Sequence, residues 1–162
     1  MNKFKTFLIL LISFILQTTI FSKINIFGAN INIIIPAIVA ISQILGYKIG
    51  GFGALIIGLV EDFLFTSFIG VRALSYFLIG SFVASDVMNI SKDKPSGAIS
   101  TFFASIFNFF LINLIYYIFT SKTTLGTYLP IPLLVEALLN SLIYLIYINL
   151  VKKVMYIPTY RM

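Results

Sequence analysis

Six long apolar runs divide the chain, and they limit its possible folds more than any other feature. They cover residues 4–21, 31–45, 49–65, 71–88, 98–119 and 129–151. A helix that spans a bilayer needs about 20 predominantly apolar residues. Lipid offers no hydrogen-bond partner to backbone amides, so helices are the simplest spanning structure. The sequence therefore predicts an all-α integral membrane protein, with a six-transmembrane-helix bundle as a single domain over residues 1–162.

The composition supports a lipid-facing surface. Apolar residues make up 60% of the chain and charged residues only 10%, against about 25% charged in a usual soluble domain. So few charges cannot make an outer surface polar all round. The net charge of +6 is spread between the apolar runs rather than gathered on one face, which argues against nucleic acid as a partner.

Two of the runs leave alternatives open. The second is short and contains Pro36, which predicts a kink in this helix or a start nearer Ile26. A re-entrant second run, leaving five spans, is the alternative. The first run resembles a signal peptide, with Lys3 and Lys5 as the basic head and residues 7–16 as the apolar middle. No small-x-small cleavage site follows, so we expect a retained first helix.

Basic residues predict the orientation, because cytoplasmic connections carry an excess of lysine and arginine. With six spans and the N-terminus inside, the outer set is Lys23 and Lys122, with Arg72 near that face. The cytoplasmic set is larger: Lys3, Lys5, Lys48, Lys92, Lys94, Lys152, Lys153 and Arg161. We therefore expect both termini in the cytoplasm.

The chain lacks two side chains that enzymes commonly use in catalysis. It has neither histidine nor cysteine, which removes the commonest general base and the commonest metal ligands. Even the longer connections, such as residues 89–97, have no room for a catalytic domain. We expect no enzymatic activity, no metal and no cofactor.

Polar side chains within the runs are costly in lipid, and they are the default functional candidates. Asp62 lies 14 residues beyond Lys48, roughly 21 Å along a helix, which places it in the outer half of the bilayer. The same reasoning predicts one outer polar layer shared by helices 1, 3, 4, 5 and 6; Asp86 is placed at the cytoplasmic interface instead. The layer comprises Gln17, Glu61, Asp62, Arg72, Asn113, Glu136 and Asn140.

This layer has two interpretations. The favoured one is structural, with polar groups joining helices to one another and Arg72 pairing with Asp62 or Glu61. The other is a path for an ion or a solute.

Small residues recur every four positions at the third run: Gly46, Gly50, Ala54 and Gly58. Such spacing lets neighbouring helices approach closely. At about 100° per residue, Glu61 falls on the same face. The third helix is therefore predicted to be a packed central helix, with its carboxylates turned inward.

At this point the residues resemble a known family, the rod shape-determining protein MreD. Leu16-Gln17 stands near the end of the first helix and Pro36 stands early in the second, as in that family. The glycine-rich residues 50–53 lead into residues 58–62, similar to the family's Gly-Leu-Leu-x-Asp signature with Asp62 as the acid. Residues 69–80 resemble its Leu-Gly-x-x-Ala-Leu segment. One departure is Ala37, where many members carry an acidic residue.

The resemblance implies a non-enzymatic subunit of the bacterial cell-elongation machinery, in the cytoplasmic membrane, with the fold of the substrate-binding component of energy-coupling-factor transporters. It would bind an MreC-like single-span protein and sit with MreB, RodA and a class B penicillin-binding protein in lateral peptidoglycan synthesis. One alternative is a vitamin-binding component of such a transporter, although these carry Ala-x-x-x-Ala in the first helix and residues 4–21 contain no alanine. A second is proton or ion conduction through Glu61, Asp62 and Glu136.

Overall fold

The computed structural model describes residues 2–85, 93–121, 126 and 129–155. This part of the chain is almost entirely helical, which confirms the predicted all-helical architecture. A 3-10 turn (Phe21–Lys23) and a small antiparallel hairpin, β1 (Asn25–Ile26) with β2 (Ala29–Asn30), follow the first helix. The six α-helices of the described residues are α1 (Asn2–Thr19), α2 (Ile34–Leu45), α3 (Tyr47–Phe65), α4 (Val71–Val83), α5 (Lys94–Thr120) and α6 (Ile131–Val154).

One helix lies at each of the six apolar runs, and the largest differences from the predicted bounds are local. Helix α2 begins at Ile34 rather than near Ile26, because the hairpin occupies residues 25–30. Helix α4 ends at Val83, so the predicted helix is too long at residues 84 and 85. The rest of the predicted extension, residues 86–88 with Asp86, lies outside the described residues. Helix α5 begins four residues early, at Lys94, with a proline in its first turn, where a proline is well tolerated.

The prediction of a kink at Pro36 is wrong. Pro36 is the third residue of α2, and the first four N–H groups of a helix have no partner within it. The missing N–H of proline therefore costs nothing there, and Pro36 marks the beginning of the helix rather than a bend in it.

The most enclosed element is α2, not α3. All 12 of its residues are buried, and it packs against each of the other five helices. Its apolar residues surround the helix on every side, as expected of a helix without a solvent or lipid face. Helix α3 instead exposes one face, with Phe52, Ile56 and Phe63 at its surface. The prediction of a central α3 was therefore wrong in this respect.

Successive helices run in opposite directions. At one end of the bundle, Lys5 of α1 donates a hydrogen bond to the Val154 carbonyl of α6 at 2.7 Å. In the same half, Gln43 near the end of α2 donates to the Asp93 carbonyl before α5 at 3.3 Å. We call this the basic end, since it carries Lys3, Lys5, Lys48, Lys94, Lys152 and Lys153.

The other termini of the helices lie at the opposite end of the bundle. Gln17, near the end of α1, donates to the Ile31 carbonyl before α2 at 2.9 Å. Asn140, in the first half of α6, accepts the Asn32 N–H at 3.1 Å. The first residue of α1 and the last residues of α6 are therefore on the same side of the bundle.

Three helices are long and apolar enough to cross a membrane: Asn2–Lys23, Lys94–Thr120 and Ile131–Val154. Helices α2 and α4 are apolar but shorter. Helix α3 has 19 residues but carries three charges, at Lys48, Glu61 and Asp62. The outward faces of the long helices are apolar, which is compatible with a membrane protein.

Candidate functional site

The centre of the candidate site is the buried carboxylate of Glu61 on α3, which is 6% exposed. One of its oxygens accepts a hydrogen bond from the Arg72 guanidinium in a salt bridge. The other accepts the Tyr76 hydroxyl at 2.9 Å, and that hydroxyl accepts the Asn32 amide N–H at 3.0 Å. Both carboxylate oxygens therefore have a donor, and the chain of contacts joins α3 and α4 to the segment before α2.

The neighbouring carboxylate, Asp62, faces a different part of the protein. It is fully buried and accepts the backbone N–H groups of Gly70, Arg72 and Ala73 at 2.9 to 3.1 Å. These groups belong to the first turn of α4, whose N–H groups have no partner within the helix. Asp62 thus caps α4 from the preceding helix. The ion pair of Arg72 is with Glu61, while Asp62 receives its main-chain N–H.

A cleft of about 690 Å³ opens beside the Glu61 pair, at the end of the bundle opposite the basic end. We call it the polar cleft. Five of the seven residues of the predicted polar layer line it, from α1, α3, α4, α5 and α6: Gln17, Glu61, Arg72, Asn113 and Glu136. Its other polar lining residues are Thr18, Ser22, Asn30, Asn32, Tyr76 and Asn108. The remaining two of the seven, Asp62 and Asn140, do not line the cleft.

Gln17 and Asn140 hold the segment that leads into α2. The Gln17 amide donates to the Ile31 carbonyl and accepts the Ile33 N–H, each at 2.9 Å. Asn140 is fully buried; besides the Asn32 N–H, it contacts the Ser105 hydroxyl of α5 at 2.9 Å. These contacts tie α1, α5 and α6 to the beginning of the central helix, which is the structural role that polar groups often have between membrane helices.

Sequence reasoning missed six polar residues of the cleft: Thr18, Ser22, Asn30, Asn32, Tyr76 and Asn108. Two of them, Tyr76 and Asn108, had a signal. Tyr76 follows Arg72 by one helical turn and so shares its face. Asn108 accepts the Ser75 hydroxyl at 2.7 Å, and it belongs to a buried polar stripe on α5 with Thr101 and Ser105. Asn32 precedes α2, so a search for polar groups inside helices passes over it.

The small-residue stripe brings three helices together at Gly50 and Gly58, and Ala54 between them is fully buried. A Cβ atom on Gly50 would lie 2.5 Å from the Cα of Ser42 on α2. A Cβ atom on Gly58 would likewise lie 2.5 Å from the Cα of Ala73 on α4. No side chain larger than glycine fits these two positions without separating the helices.

The structure excludes Gly46 from the predicted small-residue stripe on α3. It lies between α2 and α3 with φ of 81°, in the left-handed region that favours glycine. Its role is therefore to make the tight connection, and α3 begins only at Tyr47. A second close approach, not predicted, joins Gly80 of α4 to the backbone of Gly51 on α3, where a Cβ atom on Gly80 would meet Cα at 3.0 Å.

The polar groups that line the cleft are able to bind a polar ligand. Among residues 2–85, 93–121, 126 and 129–155, no group of three or more acidic, histidine or cysteine side chains could hold a metal ion. The cleft combines a guanidinium, carboxylates and amides within a volume typical of small-molecule sites, roughly 300–1,000 Å³. Searches with family models, curated protein sequences and solved structures found no match to this chain.

Proposed function

We propose that the chain is an integral protein of a bacterial cytoplasmic membrane that crosses it six times, with both ends in the cytoplasm. Alternating helix directions and the excess of lysine at the basic end support this topology, because basic residues favour the cytoplasmic side. At the other end, the basic residues among those described are Lys23 and Arg72. Helix α2, about 18 Å long, is shorter than the hydrocarbon core, and it is enclosed by the other helices rather than by lipid.

Within that membrane, we propose that the protein is a non-enzymatic subunit of the cell-elongation machinery, similar to MreD. The observation that carries the proposal is the α3–α4 hairpin. Gly58 and Asp62, which carry the resemblance, respectively allow the close approach to Ala73 and cap α4. Both residues serve architecture rather than chemistry, as expected of a subunit that acts by binding.

The partners we propose are an MreC-like single-span protein and, in the same complex, MreB, RodA and a class B penicillin-binding protein. The exposed side chains of the long helices are mostly large and apolar, with Phe103 at 63% and Leu142 at 62% exposure. Connections between the described helices are short. A partner would therefore dock helix against helix inside the membrane, where close packing drives association.

Depletion of the protein in the bacterium that makes it tests this proposal. We expect rod-shaped cells to become round and the incorporation of a fluorescent D-amino acid along the side wall to fall. A plasmid copy of the wild-type gene should restore both properties, and a copy with the Asp62→Ala substitution should restore them poorly. Unchanged shape and wall growth after depletion would contradict the proposal.

The polar cleft favours a second candidate function, the binding of a small solute as in the vitamin-binding component of a transporter. A cleft of about 690 Å³ lined by Arg72, Glu61 and several amides has the size and polarity to hold one. Mass spectrometry of the denatured protein, purified from its own membranes, would detect a retained solute. An equimolar vitamin that is lost in the Arg72→Gln variant would support this candidate over the first.

A further inference from the structure

A second cavity, distinct from the polar cleft, runs between α1 and α3 from the basic end. Its volume is about 690 Å³. Lysine side chains from both helices stand at its mouth, and aromatic and aliphatic side chains form its walls. We call it the α1–α3 groove; the lining residues that matter here are Lys3, Thr6, Phe7, Lys48, Phe52 and Ile56.

The mouth of the groove is positively charged. Lys3 and Lys48 are both exposed, and each lies in the first turn of its helix. The ammonium group of Lys3 on α1 and that of Lys48 on α3 therefore lie at the same opening. No acidic residue is among the groove's lining residues. Two like charges facing one opening favour an anion between them.

The walls below the mouth are apolar. Along α3 the lining extends from Tyr47 to Val60, 13 residues or roughly 20 Å at the helical rise. One leaflet contributes about 15 Å, half of the hydrocarbon core. The groove is thus long enough to hold an acyl chain along its leaflet. The side chains of Phe7, Phe52 and Ile56, all about half exposed, form a wall suited to such a chain.

The buried hydroxyl of Thr6 lies between the charged mouth of the groove and its apolar walls. Thr6, one turn after Lys3, lines the groove and is only 2% exposed. Its hydroxyl has no hydrogen-bond partner in the described structure, although a buried hydroxyl without a partner is unfavourable. Rotation of the Thr6 side chain about its Cα–Cβ bond would turn this hydroxyl toward the groove, where an acceptor oxygen of a ligand at the depth of Thr6 would satisfy it.

We propose that the α1–α3 groove binds one anionic phospholipid. Its phosphate lies between the ammonium groups of Lys3 and Lys48, a glycerol ester oxygen accepts the Thr6 hydroxyl, and one acyl chain follows Phe52 and Ile56. Basic pockets between membrane helices on the cytoplasmic side are known to hold anionic headgroups. The inference requires the protein to be in a membrane, but it does not depend on the proposed partners.

Native mass spectrometry of the full chain in detergent tests the site. Dioleoyl phosphatidylglycerol and dioleoyl phosphatidylcholine are titrated separately, and a one-to-one adduct of the anionic lipid is expected. The Lys3→Gln/Lys48→Gln variant should bind it about 30-fold more weakly. The matched control is Lys152→Gln/Lys153→Gln, which removes the same charge at the same end but outside the groove; its affinity should stay within about twofold of wild type. Thr6→Val should weaken binding by about fivefold.

Three results would overturn the proposal. Equal loss of affinity in both double variants would mean that the lipid is attracted by the basic end as a whole. Equal binding of phosphatidylglycerol and phosphatidylcholine would mean that the groove holds only ordinary annular lipid. A folded Lys3→Gln/Lys48→Gln variant with undiminished lipid affinity would also contradict the site. A thermal unfolding scan of each variant separates loss of binding from loss of fold.

Discussion

Arg72 forms a salt bridge with Glu61 across the α3–α4 hairpin, and Glu61 is the more deeply buried of the two. The side chain of Glu61 is 9% exposed and that of Arg72 is 31% exposed. Removal of one partner from a buried pair leaves a charge without compensation, whereas removal of both leaves neutral groups. The pair is therefore best understood through its double-mutant cycle.

We expect Arg72→Gln to lower the free energy of unfolding by about 3 kcal/mol, the low end of the range for a buried pair because Arg72 is partly exposed. The double variant Glu61→Gln/Arg72→Gln should lose less than the sum of the two single variants, by about 1–2 kcal/mol. Denaturant titration in detergent measures all four proteins. Additivity within about 0.5 kcal/mol would show that the two side chains are not coupled.

Asp62 should contribute to stability through the cap that it provides for α4. Asp62→Ala leaves the N–H groups of Gly70, Arg72 and Ala73 without their acceptor, and we expect a loss of about 2 kcal/mol. Asp62→Asn is the matched control, since asparagine keeps one acceptor oxygen at this position and should lose less stability than alanine. Comparable losses of thermal stability in the two variants would argue against the capping role.

The close approach of α3 and α4 at Gly58 is tested by a pair of identical changes. Gly58→Ala places a Cβ atom against the Ala73 backbone, and we expect a loss of about 1–3 kcal/mol from overpacking. Gly53→Ala, on the same helix, meets only the ends of the Leu10 and Thr6 side chains at 3.1 Å. Both changes gain about 1 kcal/mol in helix propensity, so their difference in melting temperature isolates the steric term. Equal melting temperatures would count against the close approach.

The larger change Gly58→Leu extends this test to assembly. A leucine at this position would force α4 away from α3 and disturb the outer surface of the hairpin. We expect this variant to lose its membrane partner in pull-down experiments while Gly53→Ala retains it. Normal partner recovery by a stable Gly58→Leu protein would show that the stripe has no part in assembly.

Orientation can be measured with single thiols, because the chain contains no cysteine. Lys23, after α1, and Lys153, near the end of α6, are both exposed, and the proposed topology places them on opposite sides. A membrane-impermeant maleimide should label Lys23→Cys in intact spheroplasts and Lys153→Cys only after permeabilisation. Labelling of both from the same side would refute the six-span topology.

The number and order of the helices could be predicted from the sequence because continuous apolar runs leave few alternatives in lipid. The shared level of several polar residues along the bundle was also predictable, since the rise per residue is constant along a helix. That regularity explains why Gln17, Asn113 and Glu136, which are distant in sequence, line one cleft with Glu61.

What could not be predicted depends on local turns and on rotation about the helix axis. The hairpin before α2 forms because the Asn25 side chain accepts the Gly28 N–H at 2.9 Å, a turn signal hidden between two apolar runs. Glu61 and Asp62 are adjacent, and about 100° of rotation separates them. Only the position of α4 decides that one carboxylate faces the polar cleft and the other caps a helix.

The partner subunit is the centre of this account, and the mass of the intact complex tests it most directly. The protein is tagged at its own locus, extracted in a mild detergent and examined by native mass spectrometry. We predict a stoichiometric complex with a single-span MreC-like protein and no equimolar small solute in the polar cleft. A chain without that subunit, carrying one vitamin molecule that is released on denaturation, would contradict the account.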